Sequence, residues 1–202
     1  MEIAAIVGLT GTLIDLVRAT PQLARLVRTR QAFGVSVDTA ATSCIVSSGW
    51  TVYGIITQQP FVMLASGFMA TIFLMITLMA LRLGRSPREI RVAPIWLAVL
   101  LVAGIGLGKN GLGAALAVSS LASNIPQIRV AYREDNLSGL SLGSWLLTLS
   151  GGLVWGFYGV LKGDMAIMAS AFFQSLTSLI IIGLKVTKRG GGEVTETELA
   201  LD

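Results

Sequence analysis

Apolar residues fill this chain in long, nearly charge-free runs, with polar punctuation between them. The runs predict seven helical segments, at about 3–26, 35–57, 61–81, 92–107, 111–130, 140–161 and 165–184. About 20 mostly apolar residues are enough for a helix to cross a bilayer, so most of these segments can span one. Two are atypical. The first carries Asp15, Arg18 and Pro21, and the fifth is weakly apolar and interrupted by Asn124 and Pro126. Beyond the last run, residues 190–202 are glycines followed by acidic and polar positions, which predicts a disordered tail.

Sliding the chain along itself reveals an ungapped internal repeat at an offset of 105 residues. Pro21-Gln22 falls on Pro126-Gln127, Arg28 on Arg133, Gly34 on Gly139 and Ser36 on Ser141. Trp50, Tyr53 and Gly54 fall on Trp155, Tyr158 and Gly159, while Gly8, Leu16, Met63, Phe68, Leu74 and Ile76 also meet identical residues. The aligned Pro-Gln pairs and Trp-x-x-Tyr-Gly strings carry the inference, because those residues are rare in so apolar a chain. Three helices are an odd number, so two such units joined directly would be inverted. One additional crossing, at 92–107, restores the parallel arrangement. The predicted fold class is therefore an all-α membrane protein of seven transmembrane helices arranged 3+1+3. Residues 3–81 form the first repeat, 82–110 a loop and linker helix, 111–185 the second repeat, and 186–202 a cytoplasmic tail.

Charge placement gives the same count. Arg25, Arg28 and Arg30 follow segment one; Arg82, Arg85, Arg88 and Arg91 follow segment three; Arg129 and Arg133 follow segment five; Lys185, Lys188 and Arg189 follow segment seven. Only Lys109 and Lys162 fall at the opposite end. By the positive-inside rule the N-terminus is expected outside and the C-terminus in the cytoplasm. The sequon Asn136-Leu137-Ser138 then faces the cytoplasm and is set aside as a glycosylation site. Only 13% of residues are charged, and the net charge of +4 comes from inter-helix gaps, with no aromatic-interleaved basic surface for nucleic acid. Cys44 stands alone, so no internal disulfide can form, and no histidine is present to serve as metal ligand or neutral-pH base. No cleavable signal peptide is expected, since Met1-Glu2 lacks a basic leader. Gly106 to Gly111 fits a dinucleotide-binding pattern on paper, but follows no strand, and Asn110 stands where a phosphate loop needs Ser or Thr. Without a base or triad partner for its serines, the chain reads as a non-enzyme requiring no cofactor.

Broken helices at matching positions of two membrane halves point to a transporter's binding site. Proline lacks the N–H that closes a helical turn, so Pro21 and Pro126 predict hinges, with Gln22 and Gln127 able to bond the freed carbonyls. A plain packing kink is the alternative. Asp15 is the one acid at membrane depth. Such groups default to functional hypotheses, yet Arg18 at i+3 offers an internal ion pair.

Pro-Gln followed by a basic stretch, Gly-x-Ser and Trp-x-x-Tyr-Gly resembles the PQ-loop superfamily, most closely the SWEET and SemiSWEET sugar transporters. The resemblance covers about residues 5–185 and implies two parallel PQ-loop repeats around a central cavity. It implies that Trp50 and Trp155 stack on a sugar ring, the alternative being interfacial belt tryptophans, and that Tyr53 and Tyr158 close an outer gate, the alternative being an aromatic belt. Related sequences carry a sugar-binding asparagine on the third helix of each repeat. Here those positions hold Ser66 and Ala171, with Ser170 and Gln174 nearby, and Asn124 is a candidate substitute. Amino-acid exporters of the superfamily carry a proton-accepting aspartate in a second helix, where this chain has Ser43 and Thr148; Asp38 lies near the cytoplasmic start of segment two. The resemblance thus implies uncoupled, bidirectional diffusion of a mono- or disaccharide by a lipid-embedded chain compatible with a homo-oligomer, and the short tail and compact loops point to a bacterial plasma membrane. A carrier for an amino acid or other polar metabolite, or a non-transporting receptor such as the KDEL receptor of similar architecture, are the alternatives.

Overall fold

A backbone in hydrocarbon must satisfy its own N–H and C=O groups, and each apolar run accordingly folds as helix. A computed structural model describes residues 2–32, 35–133 and 142–199, with side chains described for all of these except 19, 123, 125–127, 129–130 and 188–199. The helices are α1 (Ile3–Thr29), α2 (Val37–Ile56), α3 (Pro60–Arg82), α4 (Val92–Arg133), α5 (Leu142–Lys162) and α6 (Met165–Leu199), with a single 3₁₀ turn, Pro87–Glu89, ahead of α4.

The 42-residue α4 is two crossings rather than one, because Gly108 takes φ 62 and ψ −151, a conformation open essentially to glycine alone. The arms at 92–107 and 109–133 fold back on one another. A Cβ added to Gly111 would stand 2.4 Å from the Ala103 carbonyl oxygen, and one added to Gly104 would meet Leu112. The sequence placed this turn between its fourth and fifth segments, so the arrangement is the expected 3+1+3.

Helix starts repeat the sequence offset. Val37 and Leu142 are 105 residues apart, as are Pro60 and Met165. The α2–α3 and α5–α6 turns are built alike. The Gln59 N–H donates to the Gly54 carbonyl at 2.8 Å, and the Asp164 N–H to the Gly159 carbonyl at 2.9 Å. Gln58 and Gly163 hold the same left-handed position, at φ 55 and φ 63. The aligned glycines have a common cause as well: a Cβ at Gly54 or Gly159 would lie 2.7 or 3.0 Å from the backbone nitrogen of Met63 or Met168.

In the first bundle α3 packs between α1 and α2; in the second, α6 packs between α5 and α4. The bundles meet where α1 touches α5 and where α2 touches α4. Their outer surfaces are apolar, with Val102 73% and Ile105 84% exposed, as a lipid-facing surface requires. Among the described residues, five helical stretches are long and apolar enough to cross a membrane by composition alone, one of them, Val92–Ala122, running through both arms of α4. Segment two falls short because α2 carries Thr42, Ser43, Ser47 and Ser48, two of which turn toward the interior cavity described below.

Two expectations need correction. α1 remains helical through Pro21, and the second arm of α4 remains helical as far as Arg133, so neither helix is interrupted. One missing N–H removes one hydrogen bond, and the bonds on either side hold the turn in a medium that offers no water in exchange. α6 likewise continues as helix to Leu199 where disorder was expected from Gly190. No proline interrupts that stretch, and its Glu, Thr and Leu residues can extend a helix already nucleated in the membrane.

Asp38 proves to be a structural tie. Its carboxylate accepts the backbone N–H groups of Arg91, Val92 and Ala93 at 3.0, 2.9 and 3.3 Å, capping α4 from the neighbouring helix α2. A carboxylate at a helix N-terminus satisfies otherwise unpaired donors and favours the helix dipole. Asp38→Ala is expected to cost about 1–2 kcal/mol, as loss of an N-cap does. In a thermal melt of the detergent-solubilised protein, that appears as a Tm lower by about 2–8 °C.

Candidate substrate cavity

Between the bundles lies a cavity of about 430 Å³. α1 contributes Asp15, Arg18 and Gln22; α2 contributes Ser43, Ser47 and Trp50; α3 contributes Ser66, Met69 and Phe73. The second bundle supplies Ser119, Ser120 and Asn124 from α4, Thr148, Gly152 and Trp155 from α5, and Ser170, Ala171 and Gln174 from α6. Every helix of both repeats therefore reaches it, which is why hydroxyls and amides interrupt otherwise apolar segments.

Five residues singled out as substrate contacts, Trp50, Trp155, Ser66, Asn124 and Ser170, all line this space. They are not equally free. The Ser120 and Ser170 hydroxyls bond each other at 2.6 Å, and Asn124 Nδ2 donates to the Ser120 carbonyl and Thr177 Oγ1 at 3.0 and 3.1 Å. Asn124 thus ties helices together with the donors that a substrate would otherwise use. Gln174 Nε2 donates to the Thr148 carbonyl at 3.1 Å. Among the described residues, Ser43, Ser47 and Ser66 have no such partner.

The charged pair sits in the cavity wall. Arg18 Nη2 lies 3.1 Å from Asp15 Oδ1, so the ion pair read from their i, i+3 spacing forms. The other carboxylate oxygen, Oδ2, accepts the Trp155 indole N–H at 2.9 Å, a contact no local pattern announced.

Of the hinge residues, Gln22 reaches the cavity and Pro21 is exposed on α1, while the side chains of Pro126 and Gln127 lie outside the described residues. Tyr53 and Tyr158 are buried one turn beyond the tryptophans, each in an edge-on ring contact with its own, at 5.5 Å for Trp50–Tyr53 and 5.4 Å for Trp155–Tyr158. They belong to one buried cluster on the Lys109 and Lys162 side of the tryptophans.

Asp164 organises that cluster, and the reading of single motifs passed over it. It caps α6 by accepting the Ala166 and Ile167 N–H groups, at 3.0 and 3.1 Å. From the first bundle it accepts the Tyr53 hydroxyl at 2.9 Å and Gln59 Nε2 at 2.6 Å. Gln59 and Asp164 are 105 residues apart, so equivalent helix-capping positions of the two repeats meet on the axis between the bundles. The signal was available: each lies six residues beyond its repeat's tyrosine, one as an amide and the other as an acid.

The cavity lining runs from the tryptophans toward Gln22, Phe73 and Gln174, on the side of the arginine-bearing end. In a Cys44→Ser background, Ser47→Cys should react with a water-soluble thiol reagent applied at that end. Tyr158→Cys, at a position 0% exposed, should stay protected. Mass spectrometry of the labelled protein reads both.

Comparison with known proteins places this geometry. Residues 110–178 match the family model described as PQ loop repeat, coinciding with the second bundle. The solved structure of a eukaryotic SWEET transporter is similar over 93% of this chain and 97% of that chain, at 17% sequence identity and a TM-score of 0.73. No curated protein matches the sequence. At such identity the likeness establishes the fold, which here is SWEET-like around a PQ-loop repeat.

Proposed function

We propose that this PQ-loop protein of SWEET-like fold is a membrane carrier that moves a small neutral solute, a mono- or disaccharide, by alternating access without ion coupling. The observation that carries the reading is the pair of repeat-equivalent indoles, Trp50 and Trp155, lining one cavity of about 430 Å³ among hydroxyl and amide groups. Small-molecule sites occupy about 300–1,000 Å³, so the space suits such a solute. Indole faces suit the C–H face of a sugar ring, and hydroxyl side chains can exchange hydrogen bonds with its hydroxyls. Arg18 and Asp15 offset one another, leaving the wall without net charge.

Alternating access needs two bundles that rock, and a seal that forms at one end while the other opens. Tyr53, Tyr158 and the Asp164 cluster form the outer gate; the arginine-bearing end is cytoplasmic by the positive-inside rule, with the N-terminus outside. Pro21 and Pro126 deprive the Val17 and Ala122 carbonyls of their i+4 donors, and the weakened turns supply hinges for the rocking. A bacterial plasma membrane is the proposed setting. A carrier for an amino acid or other polar metabolite is the second reading, favoured by the one feature a plain sugar does not need, the Asp15–Arg18 pair in the wall.

Uptake of labelled glucose, sucrose and a cationic amino acid by proteoliposomes, with and without a pH gradient, tests the proposal. Sugar uptake is expected to fall about tenfold or more in Trp50→Ala and in Trp155→Ala, through loss of the stacking surface. Uptake indifferent to both substitutions sinks the pocket assignment, and acceleration by the gradient sinks uncoupled transport. A separate prediction concerns the gate. Asp164→Ala removes the acceptor that joins the bundles and so favours the outward-open state. Ser47→Cys should then become reactive toward a membrane-impermeant reagent from the Lys162 side, at a rate about tenfold above that in the Asp164 parent, the scale of a lost charge-assisted bond.

A further inference from the structure

The two tryptophans occupy equivalent positions of the repeat but are held differently. Trp155 sits in a seat on α1. Its N–H donates to Asp15 Oδ2 at 2.9 Å, across the boundary between the bundles, and Arg18 takes the other carboxylate oxygen at 3.1 Å. One turn earlier, Gly11 is buried against the ring: a Cβ there would stand 2.9 Å from Trp155 Cε2 and 3.2 Å from Nε1. Bare backbone at residue 11 and an acceptor at residue 15 together accommodate an indole lying against the helix.

Trp50 has no such seat. The residues equivalent to Gly11 and Asp15, at the 105-residue offset, are Leu116 and Ser120. Leu116 is a full side chain buried beside Gly49, and the Ser120 hydroxyl is already engaged with Ser170 at 2.6 Å. The Trp50 N–H has no hydrogen-bond partner among the described residues. The polar side chains divide the same way: among the described residues, Ser43, Ser47 and Ser66 of the first repeat are unpartnered, whereas the hydroxyls of Ser120 and Ser170 and the amide N–H groups of Asn124 and Gln174 of the second are engaged.

We infer that Trp155 is a docked platform, positioned by Asp15 and Gly11, and that the first repeat alone reads the polar groups of the solute, through Trp50 Nε1 and the hydroxyls of Ser43, Ser47 and Ser66. Substrate lies with a C–H face on Trp155 and turns its hydroxyls toward the first bundle. Asp15 acts on the solute only by holding Trp155, which makes it a positioning residue. The substrate half of this inference rests on the carrier reading; the docking half does not.

The docking is tested without any solute. In protein carrying Trp50→Phe, Trp96→Phe and Trp145→Phe, Trp155 is the sole tryptophan and reports through acrylamide quenching of its fluorescence. Asp15→Ala and Gly11→Ala are each expected to raise the quenching constant about twofold or more, since a charge-assisted bond or the space for the ring is lost. Asp15→Asn retains an acceptor oxygen, and Arg18, about a third exposed, can turn to water; quenching should stay near the parent value. Unchanged quenching in Asp15→Ala overturns the docking, as does an Asn variant no better than Ala. Should Asp15→Ala not fold, Gly11→Ala, which keeps the ion pair, decides the matter.

The recognition half is read in the full chain with labelled glucose as probe. Trp50→Phe, which keeps the ring and loses the donor, is expected to raise KM about two- to tenfold, the worth of one hydrogen bond. Trp155→Phe keeps a platform and should raise KM by less. Equal or reversed shifts overturn the division of labour. Absence of glucose uptake by the wild-type chain refutes the recognition half together with glucose transport, while the quenching result stands on its own.

Discussion

The absence of water around the spans governs this molecule. In hydrocarbon, a backbone group without an internal partner costs several kcal/mol, so each span is held as helix and polar side chains turn inward. Between helices in lipid the usual gain from burying apolar surface is missing, and association relies on close contact and internal hydrogen bonds. Both are visible. Glycines at 49, 54, 104, 111, 113 and 159 lie where a Cβ would meet a neighbouring segment, and hydroxyls or amides such as Asn124 and Gln174 bond across helices. The same interior polarity that holds the bundles together also furnishes the cavity wall.

Duplication makes the architecture and departures from it make the site specific. Equivalent turns at 57–59 and 162–164 share a hydrogen-bond pattern, and equivalent tyrosines pack edge-on against equivalent tryptophans. Two of the contacts between the bundles join residues at which the repeats differ. Gln59 and Asp164, one an amide and one an acid, bond directly, where two amides would pair more weakly and two carboxylates would repel. Asp15 and Ser120 differ in the same way, and only the carboxylate captures a tryptophan. Exact symmetry on such an axis would set like against like.

Much was legible in residues that are rare in an apolar chain. Two Pro-Gln pairs and two Trp-x-x-Tyr-Gly strings fixed the offset, and parity supplied the linker crossing that Gly108 begins to turn. Apart from the far end of α6, the helix ends fell within a few residues of the apolar runs. Where propensity alone was used, at Pro21 and in the glycine-rich stretch after residue 190, the helices proved more continuous than the local sequence suggests. A proline weakens one bond in a ladder whose other bonds have nothing to exchange with in lipid.

Hydropathy, repeat spacing and charge thus determined by themselves that this is a bilayer-spanning chain of two parallel units, because those properties depend on sequence position and on the solvent alone. They also nominated Trp50 and Trp155, which recur at one offset. Tertiary structure decided which candidates still have hydrogen bonds to give: Asn124 and Ser170 are engaged, Ser43, Ser47 and Ser66 have no partner among the described residues, and Trp155 is bound to an aspartate 140 residues away. Donor and acceptor capacity is finite, and whether a neighbour has consumed it depends on contacts between helices distant in the chain, which no local pattern encodes.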